Sequence, residues 1–395
     1  MTQSPTRSLA ALVGVVLVGM TGFGVFLPIF PFLALHLGGS PTAITIAMGA
    51  YSFGQLIAAP LWGRLSDRIG RKPILIIGLL GGMISYLMLA HAGSVLELGG
   101  ARLFGGLMAG NIGAAFAAAA DLADERTRAR NMGLLGAAVG FAFIAGPAFG
   151  AVLIGHAPDT EGYVRVCYAS AAFAAVAALG AFLLFGETAT KRAAADARVR
   201  RMALLASKPT LTRFVAIMFL MIAAQALMET TFGLWAHDQL HWGPREVGWT
   251  LAGLGFGAAL LQGGGAGRAA RALGERVTLV IGLVLFAAGL GGLAVAHVLS
   301  TTVAALVALM LGVGLATPAL QSLIAAQADA RENGAVMGLS QSAAALGRVA
   351  GPLGAGAIFD QLGPGAPFVI GAVLLLVALF VTGGEPQSAE EPSRG

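Results

Sequence analysis

Long apolar stretches separated by short polar ones recur along the whole chain, and each approaches the roughly 20 residues needed to cross a bilayer. Twelve such segments lie at approximately 9–36, 42–62, 74–92, 95–120, 131–155, 164–185, 211–235, 246–266, 277–296, 302–325, 334–358 and 367–382. Because backbone groups in lipid must be paired within their own segment, this pattern predicts membrane-spanning helices.

The longest polar connection divides these segments into two sets of six. We therefore predict an all-α membrane protein with 12 transmembrane helices, arranged as two pseudo-symmetric six-helix bundles. Its predicted parts are an N-terminal bundle at 1–185, a cytoplasmic linker at 186–209, a C-terminal bundle at 210–382 and a cytoplasmic tail at 383–395.

Composition supports this class and excludes others. Hydrophobic residues make up 57% of the chain and charged residues only 11%, which is incompatible with a water-soluble enzyme. The single cysteine, Cys167, excludes a disulfide framework. No Cys/His cluster has the spacing of metal ligands, so neither a metal nor a cofactor is expected.

The positive charges are distributed unevenly between the predicted connections. Almost all Lys and Arg residues outside the apolar segments fall on one side, and the other side carries only Arg165 and Arg245. The positive-inside rule then places both termini in the cytoplasm. The net charge of +5 therefore reflects topology and does not indicate a nucleic-acid partner. The histidines lie at the opposite side: His36, His91, His156, His237, His241 and His297.

The two sets of six segments also repeat in sequence. "GRLSDRIGRK" begins at Gly63 and "GRAARALGER" at Gly267, 204 residues later. "AGPAFGA" begins at Ala145 and "AGPLGAG" at Ala350, 205 residues later. Two pairs with nearly equal offsets indicate an internal duplication, an arrangement typical of transporters that bind their substrate near the bilayer midplane between two halves.

Three motifs carry a family resemblance. The first is the most polar short stretch, "GRLSDRIGRKP" from Gly63 to Pro73, interpreted as a solvated loop between membrane helices. It resembles the signature that the major facilitator superfamily carries between its second and third helices. Arg102-x3-Gly106 resembles the second motif of that family, and "GFAFIAGPAFG" from Gly140 resembles its proton antiporter signature. The resemblance extends over essentially the whole chain.

The resemblance implies a gate on the cytoplasmic side. Asp67 would dock on the start of the eleventh helix, near Gly334, and Arg71 would pair with Asp121, so that the two halves are latched together. The residues assigned to this gate are Gly63, Asp67, Arg68, Gly70, Arg71 and Asp121. Those assigned to the antiporter motif are Gly140, Gly146, Pro147 and Gly150.

Segments such as "PALQSLIAAQAD", from Pro318, are similar to tetracycline-efflux proteins in particular. Those exporters carry acidic residues in their first, third and ninth helices and a histidine in the eighth. The corresponding positions here are Gly19, Ser85, Phe286 and Ala258, so proton coupling would rest on other groups.

A few polar residues lie within the apolar segments, where an ionisable group is costly and usually faces a cavity or a partner. Glu229 and Arg102 are the candidates for proton coupling, and Glu229 could alternatively form a structural ion pair with Arg348. The candidates for substrate binding are Gln225, Glu229, Phe232, Gln341, Arg348 and Asn111.

Three functions are compatible with these features. The first is proton-coupled efflux of lipophilic drugs or metabolites across the bacterial inner membrane. The second is a facilitator or proton symporter for a small polar or anionic metabolite, and the third is a membrane receptor that does not transport. The expected partners are a lipophilic small molecule, which can be cationic, together with protons and the lipid bilayer. No nucleic acid is expected, and the expected state is a monomer.

Overall fold

The computed structural model describes residues 5–124, 127–156, 158–188, 204, 207–328 and 332–383. All regular elements in these ranges are helical. They are α1 (Pro5–Phe26), α2 (Phe30–His36), α3 (Pro41–Ile69), α4 (Arg71–Ala90), α5 (Val95–Met108), α6 (Asn111–Asp121), α7 (Arg128–Ile154), α8 (Thr160–Leu184), α9 (Pro209–Leu240), α10 (Pro244–Leu260), a π-helical turn (Leu261–Gly265), α11 (Ala266–Leu273), α12 (Glu275–Ala294), α13 (Leu299–Ala325), α14 (Asn333–Leu362) and α15 (Ala366–Gly383).

Each of the twelve predicted segments is helical in this structure. Within the described ranges, nine helices are long and apolar enough to cross a membrane. Two segments that the sequence pattern predicts as continuous are interrupted. The first is broken between α1 and α2, and the fourth between α5 and α6. The first break lies among apolar residues and is not visible in a hydropathy pattern, whereas the second lies directly before the polar Asn111.

The charged stretch from Gly63 to Pro73, expected from the sequence to be a loop, is almost entirely helical, which corrects that expectation. Helix α3 continues through Ile69 and α4 begins at Arg71, so that only Gly70 lies outside a helix. Gly70 has a φ of 109°, a conformation that favours glycine. Gly63 lies inside α3 and forms no turn. The charged side chains therefore project from helical positions.

Helices α1 to α8, here called the N-terminal half, pack mainly on one another. In this half α1 packs on α7 and α8, and α3 packs on α5. In the C-terminal half, α9 to α15, α12 packs on α13 and α9 packs on α14. Most of the predicted linker (189–203 and 205–206) and of the predicted tail (384–395) falls outside the described residues, so the exact four-part division stays a prediction.

The internal duplication is visible in the backbone. Gly70 and Gly274 both have positive φ values, 109° and 85°, and each directly precedes a helix that begins with a charged residue. Gly146 on α7 packs against the backbone of α1, and Gly351 on α14 packs against the backbone of α9. The two halves therefore repeat both a turn and a helix contact.

Close contacts between the halves lie towards the membrane face that carries the histidines, here called the histidine face. Gly49 near the start of α3 packs on Pro352, and Gly248 near the start of α10 packs on Pro147 and Ala151. The face that carries Arg71, Lys72 and Arg276 is here called the basic face. Because the halves meet towards the histidine face, the space between them opens towards the basic face.

Candidate functional site

Glu229 lies deep in α9 and its side chain is exposed to the space between the halves. Gly233, four residues later, packs on Pro31 of the N-terminal half, and Ala226, three residues earlier, contacts Gly351 of α14. Residues three or four apart share one side of a helix, so Glu229 points between these two neighbours. Its carboxylate oxygen Oε1 accepts a hydrogen bond of 2.8 Å from Nε2 of Gln225.

Arg348 faces the same space from α14. Gly351, three residues later, packs on α9, and Pro352, four residues later, packs on Gly49 of α3. The guanidinium therefore points into the seam between α9 and α3, and it is exposed there. Gln341, two helical turns earlier on the same side, is exposed as well. The structure thus places four of the predicted residues (Gln225, Glu229, Gln341 and Arg348) around one space.

Glu229 and Arg348 do not form the structural ion pair considered from sequence. Their charged atoms are not within 4 Å of each other, although each group lies within electrostatic range of the other. Glu229 is hydrogen-bonded to Gln225 instead. A carboxylate that is held in place without a neutralising partner remains available to a proton or to a cationic ligand.

Arg102 on α5 is buried, with 6% of its surface exposed. Its guanidinium carbon lies 4.5 Å from the ring centroid of Tyr51, 5.5 Å from that of Phe30 and 5.7 Å from that of Phe23. Cation–π attraction offsets part of the cost of burying this charge. Gly106 brings the α3 backbone at Tyr51 against α5, because any side chain at that position would collide with the Tyr51 carbonyl.

Tyr51, which contacts Arg102 and lies near Arg348, was not predicted from the sequence. Its ring covers Arg102 of the N-terminal half, and its hydroxyl lies within electrostatic range of Arg348 of the C-terminal half. A signal was present: Tyr51 is one of only four tyrosines in the chain and lies inside an apolar segment. Which groups it faces depends on how α3 packs on α5 and α14, and sequence periodicity does not contain that information.

Two predicted substrate contacts lie elsewhere. Phe232 is 1% exposed and stacks on Trp235 with ring centroids 5.9 Å apart, so it belongs to the packed core and does not face the space between the halves. Asn111 begins α6 and packs on Gly78 of α4. There it lines a small cavity inside the N-terminal half, with Val15, Val16, Gly19, Met20, Leu75, Leu79 and Ile112.

The charged groups near Gly70 form one network inside the N-terminal half. Arg71 donates from Nη1 to Asp67 Oδ1 at 2.6 Å and to Ser66 Oγ at 3.1 Å, and from Nε to Asp121 Oδ2 at 3.0 Å. The contact between Arg71 and Asp121 is the one that the resemblance implies. It does not latch the two halves together, because both residues belong to the same half.

Asp67 is bound to Arg71, and the docking contact expected near Gly334 stays a prediction. Arg68 is exposed. A group that the sequence analysis missed completes the network: the carboxylate of Glu187 accepts hydrogen bonds from the backbone N–H groups of Arg71 and Lys72, at 2.8 and 3.2 Å. Glu187 therefore caps the start of α4.

The residues of the predicted antiporter motif lie on α7. Gly146 and Gly150 allow α7 to approach the backbone of α1 at Gly24 and Val25, and Pro147 is buried at the same contact. Gly140 differs, because a side chain at that position would meet no atom within 4 Å. The motif thus provides close helix packing at three of its four positions.

A model of the family described as the Major Facilitator Superfamily matches residues 12–264 and 214–395. The chain belongs to the Major Facilitator Superfamily. It is therefore a multi-pass membrane transporter and not an enzyme, and its all-helical fold is that of the superfamily. Among the described residues, no group of three or more His, Cys, Asp or Glu side chains is arranged to hold a metal ion.

Individual members of the superfamily are similar over nearly the full length. The tetracycline resistance protein, class G, of Vibrio anguillarum is 29% identical over 389 residues, which covers 94% of this chain and 96% of that protein. Multidrug resistance protein 2 of Bacillus subtilis is 26% identical over 384 residues, which covers 93% of this chain and 92% of that protein. The crystal structure of the human organic anion transporter MFSD10 has a TM-score of 0.70 at 23% identity and covers 96% of this chain.

Proposed function

We propose that this superfamily member is a proton-coupled exporter of lipophilic drugs or metabolites that works by alternating access. Similarity to tetracycline and multidrug resistance proteins over more than nine-tenths of the chain supports export of drugs. The tetracycline exporters' own acidic positions are occupied here by other residues. Ser85, for example, donates to the carbonyl of Ala101 and packs α4 on α5. We therefore do not assign tetracycline itself as the substrate.

The observation that carries the proposal is the position of Glu229. It is a carboxylate deep in a membrane helix, exposed to the space between the halves and held by a single neutral amide. An acidic group in such a position is a functional candidate, because burial of its charge without a partner is costly. A proton and a cationic group of the substrate would compete for this carboxylate, so that each binds after the other has left.

We further propose that the basic face is cytoplasmic and that the protein lies in the bacterial inner membrane as a monomer with both termini inside. The Lys and Arg residues of the connections lie almost entirely on that side, as the positive-inside rule requires. In this orientation the space around Glu229 opens to the cytoplasm, from which an exporter collects its substrate.

The network of Asp67, Arg71 and Asp121 would act as a gate at the same face. In this structure Arg71 holds Asp67 and Asp121 together. We propose that Asp67 leaves Arg71 and docks on the start of α14 when the basic face closes. Replacement of Asp67 by Asn is then expected to slow transport by favouring the state that is open to the cytoplasm.

The test is drug-dependent proton movement in liposomes that contain the purified protein. A fluorescent lipophilic cation serves as the drug, and a pH-sensitive dye reports protons. The native protein is expected to move protons when drug is added and to accumulate drug against its gradient when a pH gradient is imposed. Glu229→Gln can still form a hydrogen bond with Gln225 but cannot exchange a proton. This variant is expected to lose both the drug-dependent proton movement and the accumulation of drug.

Glu161→Gln is the matched control, because Glu161 is an exposed carboxylate in the first turn of α8. It is expected to behave as the native protein. A folded Glu229→Gln variant with normal proton-driven accumulation would contradict the assignment of the proton site. Drug movement that follows only its own gradient, with no proton movement, would instead indicate a facilitator.

A further inference from the structure

The charge of Arg102 has no anionic partner among the described residues. Its Nε atom is buried and donates no hydrogen bond. None of the ion pairs of the described chain includes it, and the groups that act on it electrostatically are the phenols of Tyr51 and Tyr86 rather than a carboxylate. A buried cation without a counter-charge is a costly arrangement, which the surrounding rings relieve only in part.

Arg348 adds a second positive charge at the same place. It reaches the space between the halves from α14 and lies within electrostatic range of both Tyr51 and Glu229. The ionisable groups that line this part of the space are thus two arginines and one carboxylate. Protonation of Glu229, which the proposed transport cycle requires, would leave the charge of Arg348 without compensation as well.

We propose that Arg102, Tyr51 and Arg348 form a subsite for the anionic group of an aromatic substrate, with a carboxylate as the preferred group. Arginine binds carboxylates through short, charge-assisted hydrogen bonds, and the Tyr51 hydroxyl supplies a further donor between the two arginines. The ring of Phe23, which lies beside Arg102 and is partly exposed, forms the apolar wall against which the aromatic body packs. The subsite rests on the proposed function, since it is part of the same transport cavity.

The subsite is divided between the two halves. Tyr51 and Arg102 belong to the N-terminal half, and Arg348 belongs to the C-terminal half. A carboxylate between the two arginines would therefore attract both halves to one ligand. This arrangement selects substrates by their negative group independently of whether they also carry a positive group for Glu229.

Equilibrium binding to the purified full chain in lipid nanodiscs tests the subsite. The probes are naphthoate, naphthamide and naphthylmethylamine, which share one ring system and differ in charge. The native protein is expected to bind naphthoate about tenfold or more tightly than naphthamide, since a hydrogen bond to a charged group contributes more than one between neutral groups. Naphthylmethylamine should bind more weakly than naphthoate.

Three variants and one control complete the test. Arg348→Gln and Arg102→Gln are expected to remove the preference for naphthoate and leave the affinity for naphthamide nearly unchanged. Tyr51→Phe keeps the ring over Arg102 but removes the hydroxyl, and is expected to reduce the preference in part. Arg165→Gln is the control, because Arg165 is an exposed arginine on the histidine face, and it should bind all three probes as the native protein does.

Equal affinities of the native protein for naphthoate and naphthamide would overturn the proposal, as would an unchanged preference in Arg348→Gln. Because Arg348 is exposed, its variant is informative even if Arg102→Gln does not fold. These measurements need no proton gradient and no transport. Loss of proton-driven export with an intact naphthoate preference would therefore contradict the proposed function alone.

Discussion

Gly63 and Gly70 occupy equivalent places in the charged motif as read from sequence, yet their structural roles differ. Gly70 has a φ of 109°, and a side chain there would collide with the carboxylate of Glu187, which caps α4 through Arg71 and Lys72. Gly63 lies within α3, and a Cβ atom there would meet nothing within 4 Å. Only one of the two glycines is therefore required by the backbone.

We expect Gly70→Ala to lower the free energy of unfolding by about 1–3 kcal/mol, the typical cost of a strained backbone conformation. Gly63→Ala is expected to leave it unchanged or to raise it by up to about 1 kcal/mol, because alanine favours a helix. Thermal unfolding of the purified variants in detergent measures both. Equal effects of the two substitutions would show that Glu187 and the φ angle do not constrain this turn.

Helix α7 illustrates how contacts between elements are encoded by small residues. Its Gly146 allows the α1 backbone at Gly24 to approach, so that a Cβ atom on Gly146 would lie 2.5 Å from the Gly24 Cα. In a membrane, where lipid and side chain are equally apolar, such close packing is a principal source of helix association. At Gly140, six residues earlier on the same helix, a Cβ atom would meet nothing within 4 Å.

Gly146→Leu should therefore disrupt the contact between α7 and α1, whereas Gly140→Leu should be tolerated. The measurement is the monodisperse fraction of each variant in size-exclusion chromatography, followed by drug transport for those that fold. A well-folded Gly146→Leu variant with native transport would show that the motif serves something other than packing.

The elements themselves could be predicted from the sequence because each depends on a local pattern. Length and apolarity determine that 211–235 forms a helix, and the repeated motifs indicate two similar halves. The contact between Arg71 and Asp121 was available only through the family resemblance. The positions of Phe232 and Tyr51 were not accessible, because helical periodicity describes which residues share a side of one helix but not which neighbour that side meets. Phe232 shares a helix with Glu229 and is nevertheless buried against Trp235.

At the scale of the whole molecule, the histidine face holds the two halves together. Thr42, in the first turn of α3, donates from both its backbone N–H and its hydroxyl to Oδ2 of Asp360, near the end of α14. Gly356 lets the two helices touch beside this contact. In the proposed alternating-access cycle the histidine face opens in turn, so these hydrogen bonds would break during each cycle.

Cross-linking should therefore stop transport. In a Thr42→Cys/Asp360→Cys variant, a short bis-methanethiosulfonate cross-linker, which forms a disulfide with each cysteine, is expected to abolish drug accumulation in liposomes, and reduction of these disulfides by dithiothreitol is expected to restore it. The native Cys167 is fully buried and should contribute little background labelling. Each single-cysteine variant treated in the same way is the control. Undiminished transport by the cross-linked protein would mean that the histidine face does not open at this contact.

The π-helical turn at Leu261–Gly265 marks a one-residue insertion between the two copies of the ancestral half. Pro41 and Pro244, which begin α3 and α10, are 203 residues apart, whereas Gly70 and Gly274, at the far ends, are 204 apart. An extra residue in a plain α-helix would turn everything beyond it by about 100°. The wider turn accommodates the extra residue instead.

Deletion of Gly264 should thus leave a regular helix and a folded protein, whereas deletion of Ala58 from uninterrupted α3 should misdirect Asp67. Thermal unfolding of the two deletion variants would distinguish these outcomes, and equal destabilisation would argue against an insertion. The helix beyond the inserted residue therefore keeps the same orientation in both copies, although the spacing of the two sequences differs by one residue.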